Sequence, residues 1–225
     1  MELIIFDMDG TLLDTRIDIT ISVNHVRRIR HGLPPLSEAE VVEYINRRER
    51  NLPLLFYGTE APDPRDRALF REHYLSQCTR NLRLFPGIRE LLKELKRREV
   101  RMAVATNAST LFAHRMIRHA GIDHYFHSVA GTDTTGRSKP DPAMLHQLME
   151  TMDFDPDAGD RGWVLGDSDK DLDAARGAGL GALYAAWGYS RQPLPADAIL
   201  SHPIELLPIL WETRTEKMQG DARWN

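Results

Sequence analysis

At 225 residues, with 42% hydrophobic and 28% charged side chains, the chain can bury a full core and is too apolar to be a solvated, disordered tail. Its net charge of −4 excludes a general nucleic-acid binder, which needs an excess of Lys and Arg facing the phosphates. The single cysteine, Cys78, excludes an intrachain disulfide and a Cys-rich metal site, and it fits a reducing, cytoplasmic location.

The first predicted element is Leu3-Ile4-Ile5-Phe6, a β-favouring apolar run stopped by Asp7 and Gly10, which reads as a fully buried strand followed by a loop. The run is too short for a signal-peptide core or a membrane span, and Glu2 and Asp7 flank it with the wrong charge. No targeting segment and no membrane association are therefore expected. From Thr15 to Leu82 the chain carries helical periodicity without a convincing strand. Pro34-Pro35 splits this stretch, Ser37-Glu38-Ala39-Glu40 has the form of a capping box, and Asp63-Pro64 supplies a cap and a first-turn proline for a further helix.

Beyond Leu82, apolar runs and helical periods alternate. Strands are predicted at Arg101 to Ala105, Ser128 to Ala130, Trp163 to Leu165 and Ala182 to Ala185, and helices at Ile88 to Arg98, Leu111 to Ala120, Pro142 to Met152 and Leu172 to Ala178. Such alternation implies a parallel sheet covered on both faces. The expected organisation is an α/β, Rossmann-like core of residues 1–14 and 83–225 interrupted by an all-helical insertion, residues 15–82, with a loosely held tail from Thr213 to Asn225.

In an open parallel sheet, ligands gather at the carboxyl ends of the strands. Four strand ends here carry reactive polar residues: Asp7 and Asp9, then Thr106, then Lys139 in the loop beyond the third strand, then Asp167 to Asp171. A carboxylate can attack a phosphoryl group to give an aspartyl-phosphate, which makes Asp7 the candidate nucleophile. Asp9, two residues on, can protonate the leaving alkoxide and later take a proton from the attacking water. So much negative charge would repel a phosphate dianion, and Mg²⁺ on carboxylates, a backbone carbonyl and waters fits, with Asp167 and then Asp171 as further ligands. The Thr106 hydroxyl and the Lys139 ammonium are candidate donors to the transferring phosphoryl oxygens.

Asp7-Met8-Asp9-Gly10-Thr11-Leu12-Leu13-Asp14-Thr15 resembles the first motif of the haloacid dehalogenase superfamily of phosphatases. Thr106-Asn107, Lys139-Pro140-Asp141-Pro142 and Gly166-Asp167-Ser168-Asp169-Lys170-Asp171 resemble the later three. Within the superfamily the chain looks most like phosphoglycolate phosphatases, and the resemblance implies a helical cap over Thr15 to Leu82. It implies Asp7 as nucleophile and metal ligand, Asp9 as general acid/base and carbonyl ligand, Thr106, Asn107 and Lys139 on the phosphate, Asp167 on the metal, and Asp171 either on the metal directly or orienting its water. Dehalogenases in this superfamily lack the second Asp, and phosphonatases use a cap lysine, whereas Thr15 to Leu82 contains no lysine. The expected activity is hydrolysis of a small anionic phosphate monoester. A phosphomutase on the same scaffold is the alternative, and a phosphate-binding module without chemistry stands behind both.

Substrate choice is expected in the insertion, whose eleven arginines and nine acids make it +2, so that the remainder is −6 of the total −4. Arg47 and Arg48 are the specificity candidates, because Arg binds carboxylate and phosphate in bidentate fashion. They lie in Ile45-Asn46-Arg47-Arg48-Glu49-Arg50, where phosphoglycolate phosphatases usually carry glycines that this chain lacks. Arg27, Arg28 and Arg30 read as a wetted helix end. Trp163 and Phe126 read as core.

Overall fold

The computed structural model describes residues 1–47, 50–190 and 195–211. Strand β1 (Glu2–Phe6) lies at the centre of a six-stranded sheet. On one side it pairs with β4 (Arg101–Ala105), which pairs with β5 (Ser128–Ala130). On the other it pairs with β6 (Arg161–Gly166), followed by β7 (Gly181–Ala185) and β8 (Ala198–Leu200). Every pairing is parallel. The predicted strands are all present, and β8 is added at the edge.

Alternation along the strands divides the core. Ile4, Phe6, Met102, Val104, Leu165 and Leu183 pack on one face, and Leu3, Ile5, Ala103, Ala105, Val164 and Ala182 on the other. Leu3 to Phe6 are fully buried, each contributing about 1.5–3 kcal/mol through removal from water, which is why this strand reads as an unbroken apolar run. Helix α5 (Ile88–Arg97) covers the first face with Ile88, Leu91, Leu92 and Leu95, one stripe of the helical period. Helix α6 (Thr110–His119) covers the same face, whereas α8 (Ala143–Thr151) and α9 (Asp169–Gly177) cover the second. A short helix, α7 (Thr132–Thr135), follows β5. Trp163 and Phe126 are half-buried against the first face.

The chain leaves the core through a two-residue strand, β2 (Leu13–Asp14), and returns through β3 (Arg83–Leu84), the two pairing antiparallel. Between them come α1 (Arg16–Val26), a π-helical turn at Arg27–His31, α2 (Glu38–Asn46), α3 (Leu52–Tyr57) and α4 (Pro64–Gln77), with no strand among the described residues there. They share a small core of Val23, Val41 and Phe56, joined by Ile19, Tyr44, Leu52 and Phe70. Ser37 and Glu40 form the anticipated capping box, and Asp63 caps α4 with Pro64 at its first position. Helix α3, capped by Asn51, is too short to show a sequence period.

The reading of Arg27, Arg28 and Arg30 as a wetted helix end is corrected by the structure, where only Arg28 is exposed. Arg27 is 7% exposed and donates to the carbonyls of Pro34, at 2.8 Å, and Phe56. Arg30 bridges Asp63, at 2.6 Å, and Asp66 on α4. The following segment folds back over the helix end, where the Arg27 guanidinium supplies donors to carbonyls that lost contact with water and the Arg30 guanidinium pairs with carboxylates. Among the described residues no helix is long and apolar enough to cross a membrane. The expected tail from Thr213 to Asn225 lies outside the described residues.

Candidate active site

Register brings the four polar strand ends to one place. Phe6 lies beside Val104 and Leu165, so Asp7, Thr106 and Asp167 leave the sheet at the same edge. Lys139 is 3% exposed, and its Nζ donates to Asp7 Oδ1 at 2.7 Å and to the carbonyl of Ala105 at 2.6 Å, and pairs with Asp171 Oδ1 at 2.6 Å. The side chain of Asn107, expected on phosphate, is instead engaged at both ends by the Lys139 backbone. Its Nδ2 donates to Lys139 O at 3.1 Å, and its Oδ1 accepts from Lys139 N at 2.8 Å. Asn107 therefore positions the lysine.

Asp171 is held by the start of α9, where its Oδ2 accepts from the N–H and hydroxyl of Ser168, at 3.1 and 2.6 Å, in a capping box. Asp167 Oδ2 accepts from the N–H of Tyr189 at 2.6 Å. Glycines permit this crowding. A Cβ on Gly10, where φ is +96°, would lie 2.3 Å from Asp167 Oδ2, and one on Gly166 would lie 2.3 Å from Asp171 Cβ.

Asp9 has different surroundings from Asp7. Its Oδ1 accepts from the Thr15 hydroxyl at 2.7 Å, and its Oδ2 from the Thr106 hydroxyl at 3.3 Å. The Tyr189 hydroxyl in turn accepts from the Thr15 N–H at 2.7 Å, so one residue braces both the Asp167 and the Asp9 sides of the site. Nothing local in the sequence around Tyr189 signals this double contact, which joins segments far apart in the chain.

Burial sets the electrostatics. It pushes the Asp7 carboxyl up to about 7, with Lys139 pulling it back and Asp171 and Asp9 adding to the rise. Burial also raises Asp9, against the hydrogen bonds from Thr15 and Thr106, and raises Asp167 well above the carboxylate range, helped by the charges of Asp7 and Asp171. For Lys139 burial opposes the charge, but Asp171 and Asp7 outweigh it and hold the ammonium above its ordinary value. Four carboxylates converge on one lysine, a cluster short of positive charge. Asp7, Asp167 and Asp171, all buried, each offer an oxygen within 4.8 Å of the others, an all-oxygen donor set that fits a hard divalent cation.

Above the carboxylates is a cavity of about 550 Å³, lined from the helical segment by Ile19, Val23, Phe56, Phe70 and Tyr74. Arg47, expected to face substrate, does not line it. It borders a neighbouring groove of about 810 Å³, pairs with Glu43 at 2.7 Å and sits 5.0 Å over the Tyr44 ring. The reason is rotation: Arg47 ends α2 one turn beyond Glu43, and the pair shares the outer side of the helix. Arg48 lies outside the described residues. The cations that do line the cavity include Arg50 and Lys170, which sequence reasoning passed over. A signal existed for Lys170, since a cation in the first turn of α9 opposes the helix dipole. Burial and the neighbouring Arg50 push that ammonium down to about 8.

The family profile described as haloacid dehalogenase-like hydrolase matches residues 4–185. The chain is 31% identical to an N-acetylmuramic acid 6-phosphate phosphatase from Pseudomonas aeruginosa, over 93% of this chain and 95% of that one. It is also 31% identical to a phosphoglycolate phosphatase from Vibrio cholerae, over 88% and 90% of the respective chains. Among solved structures, a predicted phosphoglycolate phosphatase from Haemophilus somnus superposes with a TM-score of 0.79 at 27% identity, covering 92% of this chain and 97% of that one. CbbY from Rhodobacter sphaeroides, in complex with phosphate, gives 0.76 at 28% identity, covering 92% and 96%.

Proposed function

We propose, from the premise that this chain belongs to the haloacid dehalogenase-like hydrolase family and is a phosphoric monoester hydrolase, that it hydrolyses small anionic phosphate monoesters through an aspartyl-phosphate on Asp7. The observation that carries this reading is the contrast between two carboxylates two residues apart. Asp7 is bonded to the Lys139 ammonium, and Asp9 is bonded only to hydroxyls, so one side chain is kept as a nucleophile and the other as an acid.

In the first step an Asp7 oxygen attacks phosphorus and the P–O bond to the leaving group breaks. Asp9 gives its proton to the departing alkoxide. In the second, water attacks the phosphoryl group, the Asp9 carboxylate takes the water proton, and the bond to Asp7 breaks to restore its carboxylate. Lys139, placed by Asn107, and the Thr106 hydroxyl supply donors to the phosphoryl oxygens. Asp7, Asp167, Asp171 and the Asp9 carbonyl would hold Mg²⁺, which supplies charge neutralisation at the phosphoryl group when bound. Residues 15–82 act in this reading as a cap domain on a core of 1–14 and 83–225. The relatives named as phosphoglycolate and N-acetylmuramic acid 6-phosphate phosphatases support a phosphorylated small acid or sugar as substrate. The lone Cys78 suits work in a reducing cytoplasm.

Phosphate release from 4-nitrophenyl phosphate in Mg²⁺, without any bisphosphate primer, tests hydrolysis against the mutase alternative. Asp7→Asn abolishes the release while the protein stays folded. Isomer formation in place of free phosphate, or an active Asp7→Asn enzyme, would overturn the proposal.

A further inference from the structure

Two cations of the cavity, Arg50 and Lys170, form no ion pair among the described residues, and Asp169, Asp171 and Asp167 offset the Lys170 charge only through space. Arg50, just past α2, is half-buried, and its Nη1 is buried with no hydrogen-bond partner among the described residues. Asp169 on α9 offsets part of its charge through space. Lys170 is 7% exposed and donates to the carbonyl of Ile45 at 2.7 Å, which pins its ammonium to the last turn of α2. The two cations thus meet from the helical segment and from the core. Asn46 lines the same cavity and carries a buried Nδ2 without a partner among the described residues.

Acids elsewhere on the wall are already engaged. Asp66 is bonded by Arg30 and His31, Asp63 by Arg30 and Arg65, and Asp7 and Asp171 by Lys139, while Asp167 accepts from the Tyr189 N–H and Asp9 from the Thr15 and Thr106 hydroxyls. Arg67 and Arg71 also line the cavity, but both are exposed, where water serves them. A partly buried guanidinium with an unpartnered Nη1, set beside a second cation, is favoured by an anion that joins it. Ile19, Val23, Phe56, Phe70 and Tyr74 give the cavity an apolar wall. At roughly 30 Å³ per water, a two-carbon leaving group would leave most of the 550 Å³ unfilled.

We propose that Arg50, Lys170 and Asn46 form an anion subsite that binds a carboxylate on the leaving group of the phosphate ester, with the apolar wall holding the carbon skeleton between carboxylate and phosphoryl group. The guanidinium fork matches a carboxylate in bidentate fashion, and the lysine adds a point charge. The inference rests on the phosphatase reading and names the substrate class within it: a phosphate ester of a bulky, partly apolar acid.

The test uses non-hydrolysable phosphonates on the full chain with Mg²⁺, by calorimetry. 4-(Phosphonomethyl)benzoate is expected to bind about tenfold or more tightly than benzylphosphonate, and Arg50→Gln and Lys170→Gln each cut that gain to about threefold or less, with thermal melts confirming folded protein. Equal binding of the two probes to the wild type, or a gain that survives both substitutions, overturns the subsite. A larger gain for p-xylylenediphosphonate than for the carboxylate overturns the carboxylate assignment. Phosphate release from benzyl phosphate is followed separately. Release without a carboxylate gain sinks the subsite and leaves the phosphatase reading, while a carboxylate gain without release sinks the phosphatase reading and leaves the subsite.

Discussion

Replacing Lys139 with Met keeps most of the side-chain length and deletes the charge that bridges Asp7 at 2.7 Å and Asp171 at 2.6 Å. Removing one partner from a buried ion pair costs about 3–5 kcal/mol, because the remaining charge is left uncompensated. For a chain of this size each kcal/mol lowers Tm by about 2–4 °C, so a fall of ~6–20 °C is expected in EDTA at about pH 8. The pH dependence follows from Asp7, pushed up to about 7 chiefly by burial and held back by Lys139. Its folded value lies above the unfolded one, so the folded state binds more protons and stability falls as pH rises from about 4 to about 7. Without Lys139 the Asp7 value climbs further. At about pH 5 Asp7 is then neutral with or without the lysine, and the loss shrinks to about half its alkaline value or less. Urea denaturation of both proteins at the two pH values reads these differences directly. An equal loss at both, or a loss below about 1 kcal/mol at the higher pH, refutes the reasoning.

Three further outcomes are expected. Mg²⁺ raises the Tm of the wild type more at about pH 8 than at about pH 5, since protonated Asp7 and Asp167 are poor ligands; an equal rise in differential scanning fluorimetry would count against the metal site. Asp9→Asn lowers kcat/KM, which reports the first phosphoryl transfer, about 10²–10⁴-fold for an alkyl phosphate and far less for 4-nitrophenyl phosphate, whose leaving group needs no proton; equal losses in kcat/KM would remove Asp9 as the acid. Arg27→Met leaves the carbonyls of Pro34 and Phe56 unpaired and costs about 2–4 kcal/mol, whereas Arg28→Ala, on exposed surface, stays within about 0.5 kcal/mol; chemical denaturation distinguishes them, and similar values would contradict the buried brace.

The sheet was legible because its signals are local. Leu3 to Phe6 is too apolar to face water on either side, and Asp7 and Gly10 stop it, so strand and loop are both written within ten residues. Caps at Ser37 and Asp63 are equally local, since each side chain serves an N–H two or three residues away. The β2–β3 ribbon was not legible. Its two-residue strands have no period, and they exist because Leu13 and Leu84 meet across 70 residues of intervening chain.

The same division holds at the site. Chain order and residue type alone pointed to Asp7, Asp9, Thr106, Lys139, Asp167 and Asp171, because each sits at or shortly beyond the end of a strand and parallel strands open toward one edge. Which atoms face one another was decided in three dimensions: Asn107 turns to the Lys139 backbone, and Thr15 and Tyr189 close around Asp9. In the helical segment, direction is set by rotation about a helix and by how that helix docks, and no local signal reports the docking. Arg47 and Arg50 stand three residues apart in an arginine-rich stretch, yet one pairs with Glu43 on the outer side of α2 and the other lines the cavity beside Lys170. Residue chemistry was therefore set by the sequence, while the surroundings of each charge required the packed fold, because burial and partner distance arise only when distant segments meet.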